Sequence, residues 1–110
     1  MFGVIKSSTD ISRVFQEGRR YGRGSSAVIA LKRDGQHGQS GRVAFVAGKK
    51  LGNAVWRNRA KRRMRAACME LGGPWDGYDV VFIAARNTTK DSYSKLISGY
   101  AKTLRQCGLR

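Results

Sequence analysis

An α+β sandwich, with helices laid on one small sheet, follows from three features of this 110-residue sequence. Two long segments carry apolar residues at helical spacing, other runs are β-branched or apolar over strand length, and glycine-rich punctuation separates them. A chain of this length buries roughly two thirds of its unfolded surface around a single core. Residues 1–110 are therefore read as one domain, with no repeat and no linker.

Ser8-Thr9-Asp10 offers a helix N-cap, Ile11, Val14 and Phe15 follow at helical spacing, and Gly18 stops this short first helix. A strand through residues 20–24 leads into a second at 26–31, and a third runs over 42–47. The glycine-rich stretch 33–41 between the last two reads as a mobile hairpin loop, with His37 exposed in it. Over residues 53–71 the period becomes helical: Trp56, Ala60, Met64, Ala67 and Leu71 advance by 4, 4, 3 and 4 to form one apolar stripe. Gly72-Gly73-Pro74 ends that helix, because glycine accepts the left-handed cap and proline cannot continue the ladder. The nearly continuous apolar run 78–85 is an interior strand. A last helix starts near Asp91 and turns Tyr93, Leu96, Ile97, Tyr100, Ala101 and Leu104 to the core.

Charge is the unusual part of the composition. Lys and Arg number 22 against 7 Asp and Glu, a formal net charge of +15, so the fold tolerates strong self-repulsion unless a polyanion neutralises it. No acidic residue occurs between Asp34 and Glu70, and inside that gap the arc opposite the apolar stripe holds Asn58, Arg59, Lys61, Arg62 and Arg65. Arginine forks suit phosphate oxygens, so Arg57, Arg59, Arg62, Arg63 and Arg65 are candidates to grip a nucleic-acid backbone. Asn58 adds a donor and an acceptor for a sugar or base edge, and Gly52-Asn53 brings the positive end of the helix toward an anion.

The bland alternative is a solvated helix face, but such a face mixes both signs, whereas Arg57/Lys61 and Lys61/Arg65 set like charges one turn apart. A membrane-surface helix is disfavoured by the alanine-rich stripe and the surrounding strands. With no run of about 18 apolar residues and no signal-peptide pattern, the reading is a cytoplasmic protein without a membrane partner. Cys68 and Cys107 fit neither a disulfide framework nor a zinc pattern and are read as reduced and semi-buried.

A self-contained nuclease needs convergent carboxylates or a histidine pair, and this chain has seven scattered acids and His37 alone. Asp79, at a strand start, is either structural or close to the bound polyanion. Phe15 is a candidate for stacking on unpaired bases, although spacing alone slightly favours a core position; Trp56 is read as a core anchor, and Tyr93 and Tyr100 receive no binding role.

The run Lys49-Lys50-Leu51-Gly52-Asn53-Ala54-Val55-Trp56-Arg57-Asn58-Arg59-Ala60-Lys61-Arg62-Arg63-Met64-Arg65 resembles the signature of the bacterial ribonuclease P protein family. Phe15-Gln16-Glu17-Gly18 and the stretch from Tyr78 to Arg86 resemble that family's first-helix ending and last strand. The resemblance implies an α-β-β-β-α-β-α sandwich on a small mixed sheet, with a left-handed crossover around the basic helix. It implies an accessory subunit that binds ribonuclease P RNA one-to-one as a monomer and promotes endonucleolytic removal of the precursor tRNA 5′ leader. Catalysis and its Mg2+ ions then belong to the RNA, with no protein active site and no metal bound by the protein. Arg57, Asn58, Arg59, Lys61, Arg62 and Arg65 would contact the catalytic RNA, and Ile11, Phe15, Lys49 and Arg86 would line a cleft for the single-stranded leader. Ile11 and Ala27 stand where the family often has aromatics, and Gly48 replaces a usual Ser or Lys, which implies weaker leader stacking. The competing class is a non-catalytic RNA-binding protein, such as a small ribosomal protein, which does not require the full signature.

Overall fold

A computed structural model of the chain describes residues 4, 5, 7–33 and 40–110. Its elements are α1 (Ser8–Glu17), β1 (Arg19–Tyr21), β2 (Val28–Lys32), β3 (Arg42–Val46), α2 (Ala54–Glu70), β4 (Tyr78–Ile83) and α3 (Tyr93–Cys107). Short 3-10 turns occupy Gly24–Ser26, Lys49–Leu51 and Arg86–Thr88. The four strands form one sheet in the order β1-β2-β4-β3. β4 runs antiparallel to β2 and parallel to β3, so the sheet is mixed and α2 is the crossover joining the parallel pair.

β4 lies inside the sheet because its residues are apolar on both faces: Val80, Val81 and Phe82 are all 0% exposed. Val80 and Phe82 pack with Met64 and Ala67 of α2 and Tyr100 and Leu104 of α3, whereas Val81 packs with Val14 of α1, Ile29 and Ala44. Two helices thus cover one face and the short α1 covers part of the other. The same burial explains why β2 and β3 are not the expected hairpin: β4 is inserted between them. Residues 34–39, with the expected loop mobility and His37, lie outside the described residues.

Several boundaries shift for physical reasons. Ser7, not residues 8–10, caps α1 by accepting from the Asp10 amide at 3.4 Å. Gly18 ends the helix with an ordinary φ of −76°, and glycine is needed there for space, since a Cβ would strike the Val14 carbonyl and the Ile29 side chain. The strand expected over 20–24 stops at Tyr21, and Ala27 is a buried residue just before β2 rather than a strand residue. β4 ends at Ile83, short of the expected 85, and α3 begins at Tyr93 with Ser92 as its cap. Tyr93 is 39% exposed instead of core, because its hydroxyl reaches across the surface to donate to Glu70 Oε1 at 3.2 Å.

A partly buried ion network links α1 to the sheet. Arg42, at the start of β3, donates to Asp79 Oδ2 at 2.7 Å and to Asp10 Oδ2 at 3.2 Å, and Arg33 lies 3.4 Å from Asp79. The hydrogen bond to Asp79 is the main cause of the raised Arg42 pKa. Asp79 is 3% exposed and structural. Both cysteines are free; Cys68 is fully buried against expectation, Cys107 half-buried as expected, and burial pushes their thiols up to about 12 and about 11.

Candidate nucleic-acid interface

Helix α2 begins where Asn53 Oδ1 accepts from the Trp56 amide at 2.9 Å, so that amide is no longer available to an external anion. Ala60, Met64, Ala67 and Leu71 are buried along the stripe, and half-buried Trp56 anchors its start by donating from Nε1 to Thr89 Oγ1 at 2.9 Å. Gly52 has an extended φ of 172° that any residue adopts; what excludes a side chain there is the Trp56 ring, which a Cβ would strike. The apolar anchor therefore sets how the helix leaves the Lys49–Leu51 turn.

With that stripe buried, Asn58, Arg59, Lys61, Arg62 and Arg65 all emerge exposed. Asn58, Lys61, Arg62 and Arg65 border a shallow concavity of about 550 Å3 together with Val55. The Arg65 guanidinium sits 5.6 Å from the centre of the Phe45 ring, which holds it over the β3 edge of that surface. Among the described residues none of these cations has a carboxylate partner. Such a face presents several donors without an acidic partner, their charge turned to solvent, an arrangement suited to phosphate oxygens.

Two arginines of the signature are not fully exposed on this arc. Arg57 lies at its margin and is half-buried. Arg63, a candidate phosphate ligand by composition, instead donates to the Thr88 carbonyl at 2.9 Å and the Asp91 carbonyl at 2.6 Å. It is a strut between α2 and the turn after β4. Val55, 77% exposed among cations, was not singled out by the sequence pattern, although its place on the polar arc follows from the helical period.

The leader-cleft candidates fall into two groups. Ile11 packs against the cluster of Val14, Ile29, Ala44 and Val81, and Phe15, one turn on along α1, is 44% exposed, which overturns the core reading for it. Lys49 and Arg86 are exposed in the turns that follow β3 and β4. These strands are parallel with Val46 opposite Ile83, so both cations stand beyond the same end of the sheet. Val46 and Ile83 are partly buried on the α1 face and pack against the same cluster as Ile11, apolar neighbours that sequence reading missed. The period-2 pairs Ala44/Val46 and Val81/Ile83 were the available signal.

Among the described residues no three His, Cys, Asp or Glu side chains gather as a metal site, and no helix is long and apolar enough to cross a membrane. The family model described as Ribonuclease P matches residues 3–108. A ribonuclease P protein component from Streptococcus mutans is 38% identical over 92 residues, 84% of this chain and 75% of that protein. One from Ruegeria pomeroyi is 37% identical over 108 residues, covering 94% and 84%. In structure, the RNase P protein of Staphylococcus aureus superposes with a TM-score of 0.80 at 21% identity over 99% of this chain and 98% of that one. The RNase P protein from Thermotoga maritima gives 0.76 at 21% identity over 93% and 94%. At these identities the structural likeness establishes the fold.

Proposed function

This chain belongs to the ribonuclease P protein family, and on that premise we propose that it is the accessory subunit of a cytoplasmic ribonucleoprotein that removes the 5′ leader from precursor tRNA. Its partner is ribonuclease P RNA, bound one-to-one. The RNA carries the Mg2+ ions and the hydrolysis, and the protein supplies position and charge.

The observation that carries this reading is the acid-free exposed arc of α2, with Asn58, Lys61, Arg62 and Arg65 around one concavity. Arg57 and Arg59 extend the arc on its two flanks. Cations placed there lower the repulsion between RNA phosphates and so reduce the divalent-ion demand of the folded RNA. Ile11, Phe15, Lys49 and Arg86 serve the leader: the ring stacks on an unpaired base and the two cations hold the adjacent phosphates. Because a mature tRNA lacks the leader, these contacts favour substrate over product.

Equilibrium binding of ribonuclease P RNA to the wild type, Arg62→Ala and Lys95→Ala tests the assignment. Lys95 is an equal charge, 74% exposed at the start of α3, and its 3.7 Å pairing with Asp91 contributes little. Loss of a charge-assisted contact at Arg62 weakens binding about tenfold or more, with Lys95→Ala close to wild type. Equal affinities for the two variants refute the α2 interface.

A further inference from the structure

Arg19, Arg20, Arg23 and Lys102 are four cations for which the reading above has no use. They sit at the edge of the sheet opposite to β3, where β1 is the outer strand and α3 packs over it. The β3 edge is covered, since the Ile5 amide donates to the Val43 carbonyl at 2.8 Å and Val4 bridges Val43. Among the described residues no segment covers β1 in that way.

The backbone shapes a hollow at this edge. Gly22, at φ 73°, turns the chain so tightly that a Cβ there would collide with the Ser26 carbonyl and Thr103 Oγ1. Gly99 lets α3 approach the same turn, because a Cβ on it would lie 3.1 Å from Ser26 Cβ. Between them runs a polar trough of about 330 Å3 walled by Arg23, Ser26, Lys102, Thr103 and Gln106. A second trough of about 340 Å3, flanked by Arg19 and Arg20, shares Gly22 and Gln106 with it. Tyr21 holds Arg19 in place, its ring centre 5.6 Å from the guanidinium.

Nothing acidic neutralises these cations among the described residues. Glu17, the acid nearest in sequence, is taken by Arg13 at 3.1 Å. Asp91, which reaches the neighbouring turn, accepts from Ser25 at 2.9 Å and Asn87 at 3.1 Å and faces Lys95. Several charges spread along two adjoining hollows match a chain of phosphates better than a single anion, and the polar walls lack the apolar anchor pocket that protein interfaces centre on.

We infer that the β1–α3 edge is a second binding surface for an RNA phosphodiester backbone, so that one molecule holds RNA at opposite edges of its sheet. This rests on an RNA partner but not on the α2 contacts. The test uses the full chain and ribonuclease P RNA as probe, comparing wild type, R19A/R20A/R23A/K102A and R59A/R62A/R65A across a salt series with hydroxyl-radical footprinting of the RNA. At about 0.7–0.9 per phosphate contact, the edge variant flattens the slope of log K against log salt by about 3. It also loses protections at RNA positions other than those lost by the α2 variant. A lysine-retaining variant, R19K/R20K/R23K, keeps the slope. A wild-type slope and footprint for the edge variant, beside a weakened α2 variant, overturn this inference alone, and an acidic protein as the true occupant would give that result. Equal losses in the lysine and alanine variants assign the effect to folding and overturn it as well. Wild-type behaviour of both alanine variants sinks the RNA-binding reading too.

Discussion

At position 62 of α2 the arginine side chain ends in solvent, whereas at position 63 it ends on the carbonyls of Thr88 and Asp91. Sequence alone does not separate them. The helical period predicts that Arg62 is opposite the core, but the partners of Arg63 come from residues 25 and 28 positions away, which no local pattern records. Arg63→Ala leaves two carbonyls without this donor and should lower unfolding free energy by about 1–3 kcal/mol in urea titration, while Arg62→Ala leaves the urea midpoint unchanged. A midpoint shift for Arg62→Ala as large as for Arg63→Ala would contradict the division. Cys68 gives a second residue-level expectation. Burial raises its pKa from 9.0 to about 12, so above pH 9 the unfolded chain sheds this proton while the folded chain keeps it. Stability therefore falls with rising pH, by about 1.4 kcal/mol per unit from this thiol once pH is well above 9. Cys68→Ala should lose less stability between pH 8 and 10 than wild type does; identical pH profiles would show that the buried thiol does not titrate on unfolding.

Among elements, α2 was the most legible, because a buried stripe and an acid-free arc both declare themselves at a period of 3.6. Its attachment was not: Trp56 to Thr89 and Arg63 to Thr88 and Asp91 strap the helix to the turn after β4. The strands were legible as runs, yet their order was not, since a glycine-rich connection suggests a hairpin and only the two-sided burial of Val80, Val81 and Phe82 places β4 between β2 and β3. α1 shows the limit of spacing arguments. Ile11, Val14 and Phe15 share one helical stripe, but a ten-residue helix packs mainly on β2 and β4 and leaves Phe15 44% exposed. Phe15→Ala should leave stability almost unchanged and weaken holoenzyme binding of leader-bearing tRNA by about 1–3 kcal/mol, without affecting mature tRNA. An equal loss for both tRNAs would remove Phe15 from leader recognition.

The whole molecule carries a formal charge of +15, and among the described residues four acids are committed to ion pairs, Asp79 and Asp10 with Arg42, Glu17 with Arg13 and Asp91 with Lys95. Among the described residues the outward charge is predominantly positive, and the fold distributes it over the α2 arc, the ends of β3 and β4, and the β1–α3 edge. Composition announced this balance; the placement needed the sheet order, because only the parallel pairing of β3 with β4 brings Lys49 and Arg86 to one end. Cleavage of a leader-bearing precursor tRNA at low magnesium is the most direct test, with the protein and ribonuclease P RNA together and each alone. Accurate leader removal only in the combined reaction, lost as salt rises, is the result expected of an accessory subunit. RNA binding without stimulation, even with the RNA of its own organism, would contradict it, and cleavage by the protein alone would place the active site in the wrong molecule.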